Sequence, residues 1–167
     1  MTLQELEAAF DAVCELPEPV QAFCVAQAAA RVSHLWAERC ERDGVADPAP
    51  DMLVRFGEWM QGSCGDTDLD GYGQQLQELV PEDIAVDSDP PSAYAGWALR
   101  DVPLVALGQG EDLQDDIVVT AVLYAAAAAC RRGSDAAAAR LDRVSTPELA
   151  FLDEWWRECR TRVPQLQ

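Results

Sequence analysis

The sequence predicts an all-α fold, a single helical domain over residues 1–167 built as a bundle of about six to eight helices. Two observations predict it. Alanine is very abundant, with runs at 125–129 and 136–139, and it is the strongest helix former. Apolar residues recur every three or four positions through most of the chain, the spacing of one helix face.

The first helix carries Leu3, Leu6, Phe10 and Val13; Thr2 with Glu5 forms a capping box at its start, and Pro17 ends it. The second runs over about 18–42 on a stripe of Val20, Phe23, Cys24, Ala28, Val32, Leu35, Trp36 and Cys40, closed by Gly44. Residues 45–50 read as a loop, after which Asp51 caps a short helix with Leu53, Phe56, Trp59 and Met60. Residues 62–73, rich in Gly and Asp, read as a second loop, and 74–79 as a short helix ending before Pro81. A third loop over 82–91 leads to a helix signalled by Asp89, Pro90 and Pro91, with Tyr94, Trp97, Ala98 and Leu99 at helical spacing. Pro103 is expected to kink or break it.

Asp112, Asp115 and Asp116 fall where the first turn of the next helix belongs, a place that favours negative charge. That helix runs towards Cys130 and stops near Gly133, and a smaller helical segment covers 134–143. Thr146 and Pro147 open a final helix carrying Leu149, Leu152, Trp156, Cys159 and Val163. Residues 102–107 and 117–124 are rich in β-branched side chains, so strands there are the alternative.

The chain has 30 acidic residues against 12 basic ones, all of them Arg, and a net charge of −18. The charge is uneven: residues 1–55 carry −6, residues 56–130 carry −13 with Arg100 as their one cation, and residues 131–167 carry +1. This excludes nucleic-acid binding through a basic face and argues against docking on anionic lipid. One His rules out a two-His metal site within the chain. The N-terminus has no signal-peptide pattern and no apolar run is long enough to span a bilayer, so a cytoplasmic location is expected. The six cysteines form no CxxC pair and read as small core residues kept reduced.

Several constellations are candidates for chemistry. Asp66, Asp68, Asp70 and Gly71 match the first half of a calcium loop, but position 12 is Gln77 instead of the bidentate Glu. His34 lies one turn from Glu38. Glu38 with Glu41, and Asp112 with Asp115, have the spacing of a carboxylate magnesium site on facing helices. No nucleophile elbow or phosphate-cradling glycine loop is present. Of the five tryptophans, the adjacent Trp155 and Trp156 point about 100° apart, so one of them is a candidate exposed contact.

The long second helix with Phe23, Cys24 and Trp36, the stretch 76–83 (LQELVPED), the stretch 92–99 (SAYAGWAL) and the last helix around Glu154 to Trp156 resemble the YjaG-like family of small bacterial helical proteins. The resemblance covers roughly residues 16–163, and the loop at 62–73 looks longer than in that family. It implies an all-helical single domain and kinship with helical immunity proteins of bacterial toxin systems. It brings no catalytic residues with it.

The functional expectation is therefore an immunity protein, a non-enzymatic inhibitor without cofactor or metal, monomer or homodimer. It would bind a cognate toxin with a basic surface and occlude it. The expected contacts are Asp66, Asp68, Asp70, Asp87, Asp89, Asp112, Asp115 and Asp116, which lie in or beside loops, with Trp97 or Trp155 as aromatic anchor. The alternatives are a magnesium-dependent helical nucleotide hydrolase using Glu38 and Glu41, and a calcium-responsive module using Asp66, Asp68 and Asp70.

Overall fold

A computed structural model describes residues 1–109, 114–134 and 139–167, the side chains of Gln114 and Asp115 excepted. Seven α-helices are present among the described residues: α1 (Leu3–Cys14), α2 (Glu18–Asp43), α3 (Ala49–Met60), α4 (Asp66–Leu79), α5 (Pro90–Ala106), α6 (Gln114–Ala129) and α7 (Thr146–Arg162). Short 3-10 turns lie at Ile84–Val86, Leu141–Arg143 and Pro164–Leu166. No strand occurs among them, so the β-branched stretches at 102–107 and 117–124 are helical. Burial overrides local propensity there: Val102, Val105, Val118 and Val122 all point into the core.

α5 is the centre of the bundle. Ser92 through Leu99 are buried without interruption, which a helix tolerates only when neighbours surround it. α2, α6 and α4 are those neighbours. Small residues are buried on both helices, Ala22, Ala28 and Ala29 of α2 and Ala95, Gly96 and Ala98 of α5. Trp36 lies over Gly96, where a Cβ would come 2.6 Å from the indole ring. α7 closes the far side with Leu152, Trp155 and Cys159, and Trp155 Nε1 donates to the Cys24 carbonyl at 2.9 Å.

Local signals explain most boundaries. The Thr2–Glu5 capping box forms. Gly44 takes a left-handed φ of 68° and ends α2. Four boundaries differ from expectation. α3 starts three residues earlier than a cap at Asp51 implies, with Pro48 at the N-cap and Asp47 Oδ1 accepting from the Ala49 amide. α4 starts at Asp66, absorbing most of the expected loop, because Leu69 and Leu76, two turns apart, bury one face of a continuous helix. Pro103 does not break α5; it sits one turn from the end, where the Leu107 amide still reaches its carbonyl. The cap of α7 is Ser145 and not Thr146, and it forms a capping box with Glu148. Of the expected segment at 134–143, residues 135–138 lie outside the described residues; Leu141–Arg143 is a 3-10 turn. No helix among the described residues is long and apolar enough to cross a membrane.

Candidate functional site

α3 shares an apolar groove with α2 and packs on its other side against α4, whose first turn is acidic. Met52 and Phe56 of α3 and Leu69 and Leu76 of α4 anchor the hairpin. Phe56 stacks on Trp59 with ring centroids 6.0 Å apart, and Trp59 Nε1 donates to Asp66 Oδ1 at 2.7 Å. This chain of contacts fixes the start of α4 against the end of α3. Between α2 and α3 lies a groove of about 380 Å³, lined by Phe23, Ala26, Leu53, Phe56, Gly57 and Met60. Val54 and Met60 on α3 are 63% and 40% exposed, large for apolar side chains.

Asp66 and Asp68 form the acidic rim. Both are exposed in the first turn of α4, where the positive helix end stabilises their charge. Neither has an ion-pair partner among the described residues. Elsewhere most arginines already face a carboxylate: Arg31 bridges Glu154 and Glu158, Arg55 holds Glu58, and Arg157 holds Asp153. The acid of α4 is therefore left to solvent or to a partner.

The other expected contacts divide. Asp70 is half-buried, with Gln74 Nε2 donating to Oδ2 at 2.8 Å and Gln109 Nε2 to Oδ1 at 2.9 Å. Asp87 accepts both terminal nitrogens of Arg39 at 2.9 Å, which holds its carboxyl below the usual range. Asp89 pairs with Arg42. These two pairs tie the loop after α4 to α2, so Asp87 and Asp89 act as internal fasteners and not as free charge for a partner. Asp116 is exposed in the first turn of α6; the Asp115 side chain and all of Asp112 lie outside the described residues.

Trp97 and Trp155, the expected aromatic anchors, are both core residues of this fold. Trp155 is fully buried, and Trp97 is 9% exposed with Nε1 donating to the Pro81 carbonyl at 2.8 Å. Each indole N–H finds a backbone acceptor, which lets the whole ring enter the core. The half-exposed member of the adjacent pair is Trp156.

The calcium motif is overturned by its own secondary structure. Asp66, Asp68 and Asp70 lie on a regular helix, where alternate residues point about 200° apart and cannot converge on one ion. Among the described residues no three metal-ligating side chains gather in one place. His34, Glu38 and Glu41 are all exposed on α2. Burial pushes the Cys40 thiol up to about 11, and Cys159 also moves up through contact with Cys24 and burial; neither is an activated thiolate.

Two features escaped the sequence reading. The groove needs α2 and α3 side by side, and in the sequence Phe23, Leu53 and Phe56 read as members of core stripes. Arg100 was noted only for its charge, yet as the single cation across 56–130 it was visible. No protein family, no curated protein and no solved structure matches this chain.

Proposed function

We propose that this chain is an acidic protein-binding module, an immunity-type inhibitor that docks on a basic toxin domain and occludes it. The observation that carries this reading is the apolar groove between α2 and α3, together with the exposed Asp66 and Asp68 at the start of the neighbouring helix α4, which have no ion-pair partner among the described residues. Tight protein interfaces join a desolvated apolar anchor point to a charged rim. The groove offers room for one large apolar side chain of the partner. The rim and the net charge of −18 steer a cationic surface towards it and disfavour acidic competitors.

The groove replaces Trp97 and Trp155 as the anchoring element, and α4 replaces the scattered loop acids as the electrostatic one. The test uses immobilised full-length chain and protein from its own source, washed in molar salt, where the screening length falls to about 3 Å. A stoichiometric basic partner is expected to survive that wash. Leu53→Asp with Met60→Asp is expected to abolish its retention. Asp66→Lys with Asp68→Lys is expected to slow association about tenfold and to flatten its salt dependence. A partner that binds all three proteins equally places the interface elsewhere and removes this reading.

A further inference from the structure

On the other side of α4 lies a second cleft, of about 440 Å³, walled by Gly73, Gln74 and Gln77 of α4, Arg100, Pro103 and Leu104 of α5, with Asp70 and Gln109 at its edges. At Gly73 the α4 and α5 walls come together. A Cβ there would meet the Pro103 ring at 3.1 Å, so the two helices touch backbone to ring at this crossing. Arg100 is 21% exposed at the side chain, and its Nε donates to Asp101 Oδ1 at 2.9 Å. Asp101 is buried, so that side of the guanidinium is fixed.

A guanidinium has five N–H donors, four of them on its two terminal nitrogens. Among the described residues those two nitrogens of Arg100 have no acceptor. The other carboxylate in the cleft, Asp70, is turned to glutamines: one amide occupies each of its oxygens. Thus the one cation within residues 56–130, held at Nε by a buried carboxylate, lines this cleft with its two terminal nitrogens unpaired among the described residues.

We propose that this cleft is a binding site for a carboxylate-bearing ligand, either a small carboxylic acid or a peptide C-terminus, held by the outer edge of the Arg100 guanidinium. The paired terminal N–H groups match the two oxygens of a carboxylate. A phosphate dianion fits worse. Its two charges exceed what one guanidinium offsets, and the rest of the lining is amide and apolar save the Asp70 carboxylate at the edge, in a chain of net charge −18. Gln77 has no hydrogen-bond partner among the described residues and offers the ligand an amide; Pro103 and Leu104 supply the apolar wall. A volume of this size holds one or two amino-acid units.

The test is calorimetric titration of the full chain with N-acetylglycine, with N-acetylglycinamide and with N-acetyltriglycine. The two acids are expected to bind saturably and the amide about tenfold or more weakly, the loss of one bidentate charged pair. Tighter binding of N-acetyltriglycine than of N-acetylglycine assigns a peptide C-terminus; equal binding assigns a small acid. Two variants report independently. Arg100→Lys keeps a cation beside Asp101 but loses the fork. Gln77→Trp fills the cleft from an exposed position and leaves the Arg100–Asp101 pair intact. Both are expected to lose the preference for acid over amide while unfolding cooperatively. The inference is overturned if acid and amide bind alike, if neither acid binds, or if the folded variants keep the wild-type preference.

Discussion

The seam between α2 and α5 and the α3–α4 hairpin are built by opposite rules. At the seam, small residues let two helices close on each other, and shape decides everything. Gly96 lies under the Trp36 ring, and a buried Trp36 Nε1 is left without a hydrogen bond to allow that fit. In the hairpin, four apolar anchors and a line of polar contacts hold helices whose outer faces are exposed and acidic. Gly71 of α4 has nothing within 4 Å of where its Cβ would be. One region has no room, and the other has room and charge to spare. The difference teaches where this chain can accept change, and a recognition surface belongs on the tolerant side.

The sharpest way to break the comparison is to enlarge Gly96. In Gly96→Leu the new side chain must displace the Trp36 indole, which is itself 1% exposed. Overpacking a tight core costs about 1–3 kcal/mol and occasionally more. With ring atoms at 2.6 and 2.7 Å from the first added carbon, the upper end is expected. Loss of the cooperative urea transition is the predicted result; a wild-type midpoint sinks the description of the seam. Hydrogen exchange sharpens the same contrast without a mutation. Amides of α3 and α4 are expected to exchange through openings of lower free energy than those of α2 and α5, because fewer buried side chains hold them.

A second contrast lies in how buried charge is handled. Burial pushes the Asp101 carboxyl up to about 6, with Arg100 opposing, from a reference of 3.8. The folded chain therefore holds this proton more tightly than the unfolded chain does. Asp101 makes no demand on stability below about pH 4, and the fold loses about 3 kcal/mol as pH rises through 4 to above 6. Asp87 runs the other way. Its pKa is lowered by Arg39, so it contributes stability above about pH 4 that is lost on acidification. Asp101→Asn, which keeps an oxygen for Arg100, is expected to remove the fall between pH 4 and 7 and to raise the urea midpoint at pH 8. An unchanged difference between the pH 5 and pH 8 midpoints refutes the assignment.

The two regions also differ in how legible they were. The seam and the bundle around it were readable because each signal was local or periodic: the Thr2–Glu5 box, Gly44 past the end of α2, and a stripe from Val20 to Cys40. The hairpin was misread for a physical reason. Gly62, Gly65, Gly71 and Gly73 with three aspartates have the composition of a loop, and the force that makes 66–79 a helix is tertiary. Leu69 and Leu76 bury a face that only α3 and α5 complete. The Arg100 cleft depends on that placement, and the docking groove on the packing of α3 against α2, so neither is visible as a site in the sequence. The tryptophans show the limit on the other side. Nothing in spacing reveals that the Pro81 and Cys24 carbonyls wait for the N–H groups of Trp97 and Trp155 and admit both rings to the core.

The smallest predicted effect follows from that misreading and has the opposite sign to the largest. Gly71 lies inside α4 at ordinary helical geometry, and its absent side chain serves no packing purpose. Glycine in a helix interior loses more backbone freedom on folding than alanine does, about 1 kcal/mol. Gly71→Ala is therefore expected to stabilise the chain by about that amount, read as a rise in the urea midpoint at unchanged slope. The same exchange at Gly73 is expected to be neutral or costly, because its Cβ meets the Pro103 ring. If 66–79 were a loop, the substitution at Gly71 would gain nothing. A gain at Gly71 without a gain at Gly73 requires both a continuous helix and its close crossing of α5, the two conditions on which the Arg100 cleft rests.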